Sequence, residues 1–114
     1  MGKSGKAESK TELLQGTLDM LVLKVLSRGS LHGFEIAQRI HELSRDALTV
    51  EEGSLYPALY RMERKGWVEA EWGLSELGRR AKFYRLTQKG RRQLVSQTAE
   101  WTRFAAAISR VLIT

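Results

Sequence analysis

The residues of this sequence best suited to chemistry are cations gathered in one stretch. Between Arg61 and Arg92 stand ten lysines and arginines (61, 64, 65, 79, 80, 82, 85, 89, 91 and 92) against four glutamates (63, 69, 71 and 76). That stretch holds the entire net charge of +6, because the rest of the 114 residues carries nine basic and nine acidic side chains. Such a concentrated excess is expected of a surface that binds a polyanion. A solvated basic surface kept for solubility is the other reading, so the pattern inside the stretch has to decide between them.

Catalysis has no comparable set of residues. The absence of cysteine removes disulfides, thiolate nucleophiles and thiolate metal sites together, and fits a reducing compartment. His32 and His41 are the only histidines, and their spacing of nine does not put both on one helical face with an acidic partner. His32 is better placed to cap or pack a helix. Glu51 and Glu52 are adjacent, so on a helix they point apart, and helix-start electrostatics accounts for them. With no nucleophile and base, no paired carboxylates and no ligand set, neither an enzyme nor a bound cofactor or metal is expected.

The elements that must position the cations follow from periodicity. Residues 1–11 offer nothing to bury and read as a disordered arm. From Leu13 a helix is expected, with Leu14, Leu18, Leu21 and Val25 on its stripe, widened by Val22 and Leu26 and ending near Gly29. A second begins around Leu31 to Gly33 and turns Ile36, Ile40 and Leu43 inward. Thr49 and Glu52 have capping-box spacing for a third helix. Pro57 favours a start near Glu52 or Gly53, and the helix stops at Gly66. Its buried stripe is Leu55, Leu59 and Met62, while Ser54, Pro57, Arg61 and Arg64 line another face.

Val68, Ala70 and Trp72 alternate with Glu69 and Glu71, and Lys82 to Leu86 alternates again, so two short strands flank a loop from Gly73 to Ala81. That loop carries Arg79 and Arg80 on a projection. Thr87 can cap a last helix, in which Leu94, Thr98, Trp101, Ala105, Ile108 and Leu112 form a heptad-like seam broadened by Phe104 and Val111.

This order describes a mainly α chain with a small β-hairpin: a winged helix-turn-helix over 12–86 plus a long C-terminal dimerisation helix over 87–114. The third helix would enter the major groove of double-stranded DNA. Ser54, Tyr56, Pro57 and Tyr60 stand where base edges are met, and Arg61, Arg64 and Lys65 where phosphates are held. From the wing, Arg79, Arg80 and Lys82 reach an adjacent groove or phosphate. The last helix has more apolar seam than one small domain covers, so a homodimer is expected. Its interface would be Leu14 and Leu18 of the first helix with Leu94, Trp101, Phe104, Ile108 and Leu112 of the last. A winged-helix module that docks a protein instead of DNA is the alternative, although such a module has no need of this basic face.

Four runs make the pattern specific. His32-Gly33-Phe34-Glu35-Ile36, Gly53-Ser54-Leu55-Tyr56-Pro57-Ala58-Leu59, Met62-Glu63-Arg64-Lys65-Gly66-Trp67-Val68 and Tyr84-Arg85-Leu86-Thr87-Gln88-Lys89-Gly90 together resemble the PadR family of bacterial transcriptional regulators. The resemblance covers the chain from about Leu13 onward. It implies a homodimeric repressor, first and last helices at the dimer interface, and a pseudo-palindromic operator resembling inverted ATGT and ACAT half-sites. Where the family often has tyrosine, this chain has Phe34 and Phe83, so any contact made by those hydroxyls is lost. The single C-terminal helix resembles the short subfamily. In some short members a tryptophan on that helix faces its symmetry mate and lines a pore for flat aromatic ligands, and Trp101 matches it. A planar aromatic effector is therefore one reading of Trp101, and a packing knob in the seam is the other. No run approaches the roughly 20 apolar residues of a membrane span and the start is polar, so a cytoplasmic protein is expected.

Overall fold

The computed structural model describes residues 17–114. The expected arm over 1–11 and the expected interface residue Leu14 lie outside them. Among the described residues the first helix, α1, runs through 17–26. It is followed by β1 (Leu31–His32), α2 (Gly33–Leu43), α3 (Glu52–Arg64), β2 (Val68–Leu74), β3 (Arg80–Leu86) and α4 (Gln88–Ile113). The strands form one antiparallel sheet in the order β1-β3-β2. The two-residue β1 was not legible as a strand. It pairs Leu31 with Tyr84 and His32 with Phe83, closing the sheet edge against the helices.

One core holds α1, α2, α3 and the base of the hairpin. Leu23, Leu26, Ile36, Leu55, Leu59, Met62 and Val68 are its largest fully buried members. Leu18, expected at a dimer interface, belongs to this core as well and is only 6% exposed. The stripe on which it stands faces the protomer's own helices. Leu43, expected to point inward, is 67% exposed, because α2 ends there and its last turn overshoots the core.

Both helices of the helix-turn-helix start where expected, α2 with His32 as its cap and α3 at Glu52, but the capping box is found at α2 and not at α3. The capping box forms on α2: Glu35 N–H donates to His32 Nδ1 (3.4 Å) and His32 N–H donates to Glu35 Oε1 (3.1 Å). It does not form at Thr49 and Glu52. Glu51 is the N-cap of α3 and makes no side-chain capping bond. Pro57 falls in the sixth position of α3, so the start at Glu52 agrees with the proline argument.

The connector between α2 and α3 is held by short bonds. The Ser44 hydroxyl accepts from Leu48 N–H (3.0 Å), and His41 Nδ1 donates to the Leu48 carbonyl (2.9 Å). Arg45 and Asp46 there take φ of 54° and 65°, a conformation costing an L-residue about 1–2 kcal/mol. Arg45 is exposed, so Arg45→Gly should relieve its share. After the larger unfolded-state entropy of glycine is subtracted, a gain of about 0.5–1 kcal/mol is expected in urea unfolding. An unchanged or lower midpoint would show the turn to be unstrained.

The strands are longer and the turn shorter than periodicity suggested. Pairing continues to Leu74 opposite Arg80, leaving a tight turn through Ser75 to Arg79. Gly78, at φ +75°, donates its N–H to the Ser75 carbonyl (2.9 Å), which is the left-handed position such a hairpin turn needs. Thr87 caps α4 as expected, accepting from Gly90 N–H (3.0 Å). Gly90 is needed for space, since a Cβ there would overlap the Trp67 carbonyl.

Candidate nucleic-acid interface

Leu55, Ala58, Leu59 and Met62 turn one side of α3 to the core. Helical geometry therefore turns Pro57, Tyr60 and Arg64 directly away from it, with Tyr56 and Ser54 on the two flanks. Tyr60 is 61% exposed and the Arg64 guanidinium lies 5.8 Å from its ring centre. Lys65 Nζ, at the end of the helix, sits 4.7 Å from the centre of the Trp67 ring. These contacts orient long cationic side chains that solvent would otherwise leave disordered.

Arg61 is differently employed. Its Nη2 donates to Asp19 Oδ1 (2.9 Å), a half-buried ion pair that braces α3 against α1. The expected face of Ser54, Pro57, Arg61 and Arg64 is thus not uniformly free. A carboxylate 42 residues away in sequence takes up the Arg61 guanidinium.

The hairpin register decides which wing residues join α3. Opposing pairs Val68 with Leu86, Ala70 with Tyr84, Trp72 with Lys82 and Leu74 with Arg80 share one face. At the base that face is core, where Val68, Tyr84 and Leu86 are buried. Farther out it passes beyond the core and stands beside α3. Lys82 Nζ meets Glu63 Oε1 of α3 at 3.4 Å, and the Arg80 guanidinium covers the Trp72 ring at 4.7 Å. Arg79 is exposed at the turn. The other face pairs Glu69 with Arg85, whose Nη2 donates to Glu69 Oε1 at 2.6 Å. The negative charge of the wing is thereby kept largely off the side that α3 shares.

Two members of this surface were missed. Trp72 was read only as part of the alternation of a strand; it is 57% exposed and serves as the platform for Arg80. Glu63 was counted only as opposing charge, and it is the anchor of Lys82. Burial raises the Tyr84 phenol above its ordinary pKa, against an opposing pull from Lys82.

The profile of the transcriptional regulator PadR-like family matches residues 22–96, which take in α2, α3 and the wing just described. The chain belongs to this family. It is 32% identical over 83 residues to a transcriptional regulator of Mycobacterium tuberculosis, an overlap of 73% of this chain and 74% of that protein. Among solved structures, a transcriptional regulator of Clostridium thermocellum superposes with a TM-score of 0.79 at 26% identity, covering 87% of this chain and 96% of that one. A PadR family transcriptional regulator of Eggerthella lenta gives 0.75 at 30% identity and covers 100% and 98%. This PadR-family chain is a DNA-binding transcriptional regulator with a winged-helix fold, and its family is one of regulators, not of enzymes.

Proposed function

We propose that two copies of this chain pair through α4 and act as a repressor on a pseudo-palindromic operator, residues 12–86 binding DNA and 87–114 dimerising. The observation that carries this reading is α4 itself. It is 26 residues long, about 39 Å at the helical rise, and Gly90 is its one buried residue. Trp101, Phe104, Ile108, Val111 and Leu112 are exposed on it, and Leu94 alone of its apolar seam packs against the protomer's core. A second α4 is the simplest cover for such a seam. Beside that seam lies a hollow between α1 and α4, lined by Met20, Gln97, Trp101 and Phe104 among others.

In this dimer Ser54, Tyr56, Pro57 and Tyr60 read the major groove, while Arg64 and Lys65 hold phosphate at its edge. Arg79 and Arg80 contact DNA from the wing. Arg61 and Lys82, tied to Asp19 and Glu63, act by setting the relative placement of α1, α3 and the wing and face phosphate with only part of their charge. A planar aromatic effector is a second reading, favoured by that hollow of about 450 Å³ beside Trp101. No helix among the described residues is long and apolar enough to cross a membrane, and a repressor acts in the cytoplasm with its operator.

The test separates reading from attraction. On an operator selected from random duplexes, Ser54→Ala and Tyr56→Phe should each cost about 1–3 kcal/mol, while affinity for generic duplex hardly changes. Equal losses on both DNAs would remove these residues from base recognition.

A further inference from the structure

Gly33 opens α2, is buried, and has no positive φ. Glycine weakens a helix relative to alanine, so the backbone gives no reason for it here. Space does. A methyl group at Gly33 would stand 2.5 Å from Tyr56 Oη and 2.8 Å from its Cε1 and Cζ, far inside van der Waals contact. The hydroxyl end of the Tyr56 ring therefore rests on the bare Cα of Gly33. Tyr56 itself belongs to the second turn of α3 and remains 44% exposed, so one side of its ring is seated on α2 while the other is open. Without the seat, rotation about its first side-chain bond would carry the hydroxyl several ångströms across the surface.

We propose that Gly33 is a positioning residue for DNA recognition: the absence of its side chain fixes where the Tyr56 hydroxyl is presented at the start of α3. The inference rests on the reading of Tyr56 as a DNA contact. It assigns Gly33 a role through Tyr56 and none in touching DNA. It also makes the contact between α2 and α3 part of the recognition surface, because the groove-facing hydroxyl of one helix is aimed by the other.

Gly33→Ala tests it. The obstructing atoms are the far end of one side chain, so the protein should fold with Tyr56 turned outward. Preference for the selected operator over generic duplex should fall about tenfold, with generic affinity and its salt dependence unchanged. Tyr56→Phe is measured alongside. If that variant keeps full operator preference, Tyr56 does not read DNA through its hydroxyl and the role of Gly33 falls with it. If Tyr56→Phe loses preference but Gly33→Ala keeps it, only the positioning role is overturned. Thermal midpoints of a double-mutant cycle cover the case of impaired folding. The seat requires Gly33→Ala to lower the midpoint when Tyr56 is present and to raise it in the Tyr56→Ala background. Equal shifts in both backgrounds would overturn it.

Discussion

Replacing Ile108 and Leu112 together with glutamate is expected to give a folded monomer that no longer binds operator. Both side chains are exposed in the protomer, Leu112 at 78%, so the substitutions remove nothing from its own core. Circular dichroism should therefore be nearly unchanged. In the proposed paired state the same positions lie in an apolar seam, where four buried carboxylates per dimer would be left without partners. Loss of the dimer separates the two recognition helices. Linked half-sites are bound at millimolar effective concentration, so a monomer should lose operator affinity by about 10²–10⁴-fold. Sedimentation equilibrium decides the matter. A double variant that sediments at the mass of a dimer would place the interface away from the C-terminal half of α4.

The wing is expected to govern affinity without governing sequence preference. Arg79→Ala with Arg80→Ala removes two cations from the hairpin end, and two lost phosphate contacts should make the salt dependence of binding shallower by about 1.8 in log–log slope. At moderate salt this amounts to roughly tenfold weaker binding or more, on operator and generic duplex alike. Stability should hardly move. Both residues are exposed, and Arg80 gives up only a surface stack on Trp72. Titrations on both DNAs over a range of salt read the result. Unchanged slopes would take the wing off the phosphates, and a loss confined to operator would make these arginines readers of bases.

Much of the architecture was legible because its signals are local. Gly66 and the early Pro57 bounded α3, and the stripe Leu55, Leu59 and Met62 located its buried side without reference to any other element. Thr87 announced the start of α4, and the seam from Leu94 to Leu112 announced a helix with an uncovered face. The less successful inferences concern neighbours in space. Thr49 and Glu52 have capping-box spacing, but the connector held by Ser44 and His41 brings Glu51 to the cap instead. Leu18 carries the periodicity of any buried leucine, and periodicity alone does not say whether the same chain or a second copy covers it.

Charge shows the same division. Counting cations from Arg61 to Arg92 located the basic stretch, since net charge is a sum over residues and does not depend on how they are arranged. Which cations are free within it depends on arrangement. Asp19 engages Arg61 across a helix interface, Glu63 engages Lys82 across the gap between α3 and the wing, and Arg64, Lys65 and Arg80 lie over aromatic rings. The sequence by itself determined the order of elements, the concentration of positive charge and the surplus apolar face of α4, because helical and strand periods and net charge are properties of contiguous residues. Only the tertiary structure decided that Trp72 supports Arg80, that Leu18 is internal, and that Gly33 seats Tyr56. Each of these depends on which faces of distant segments meet, and that is set by packing the whole core at once.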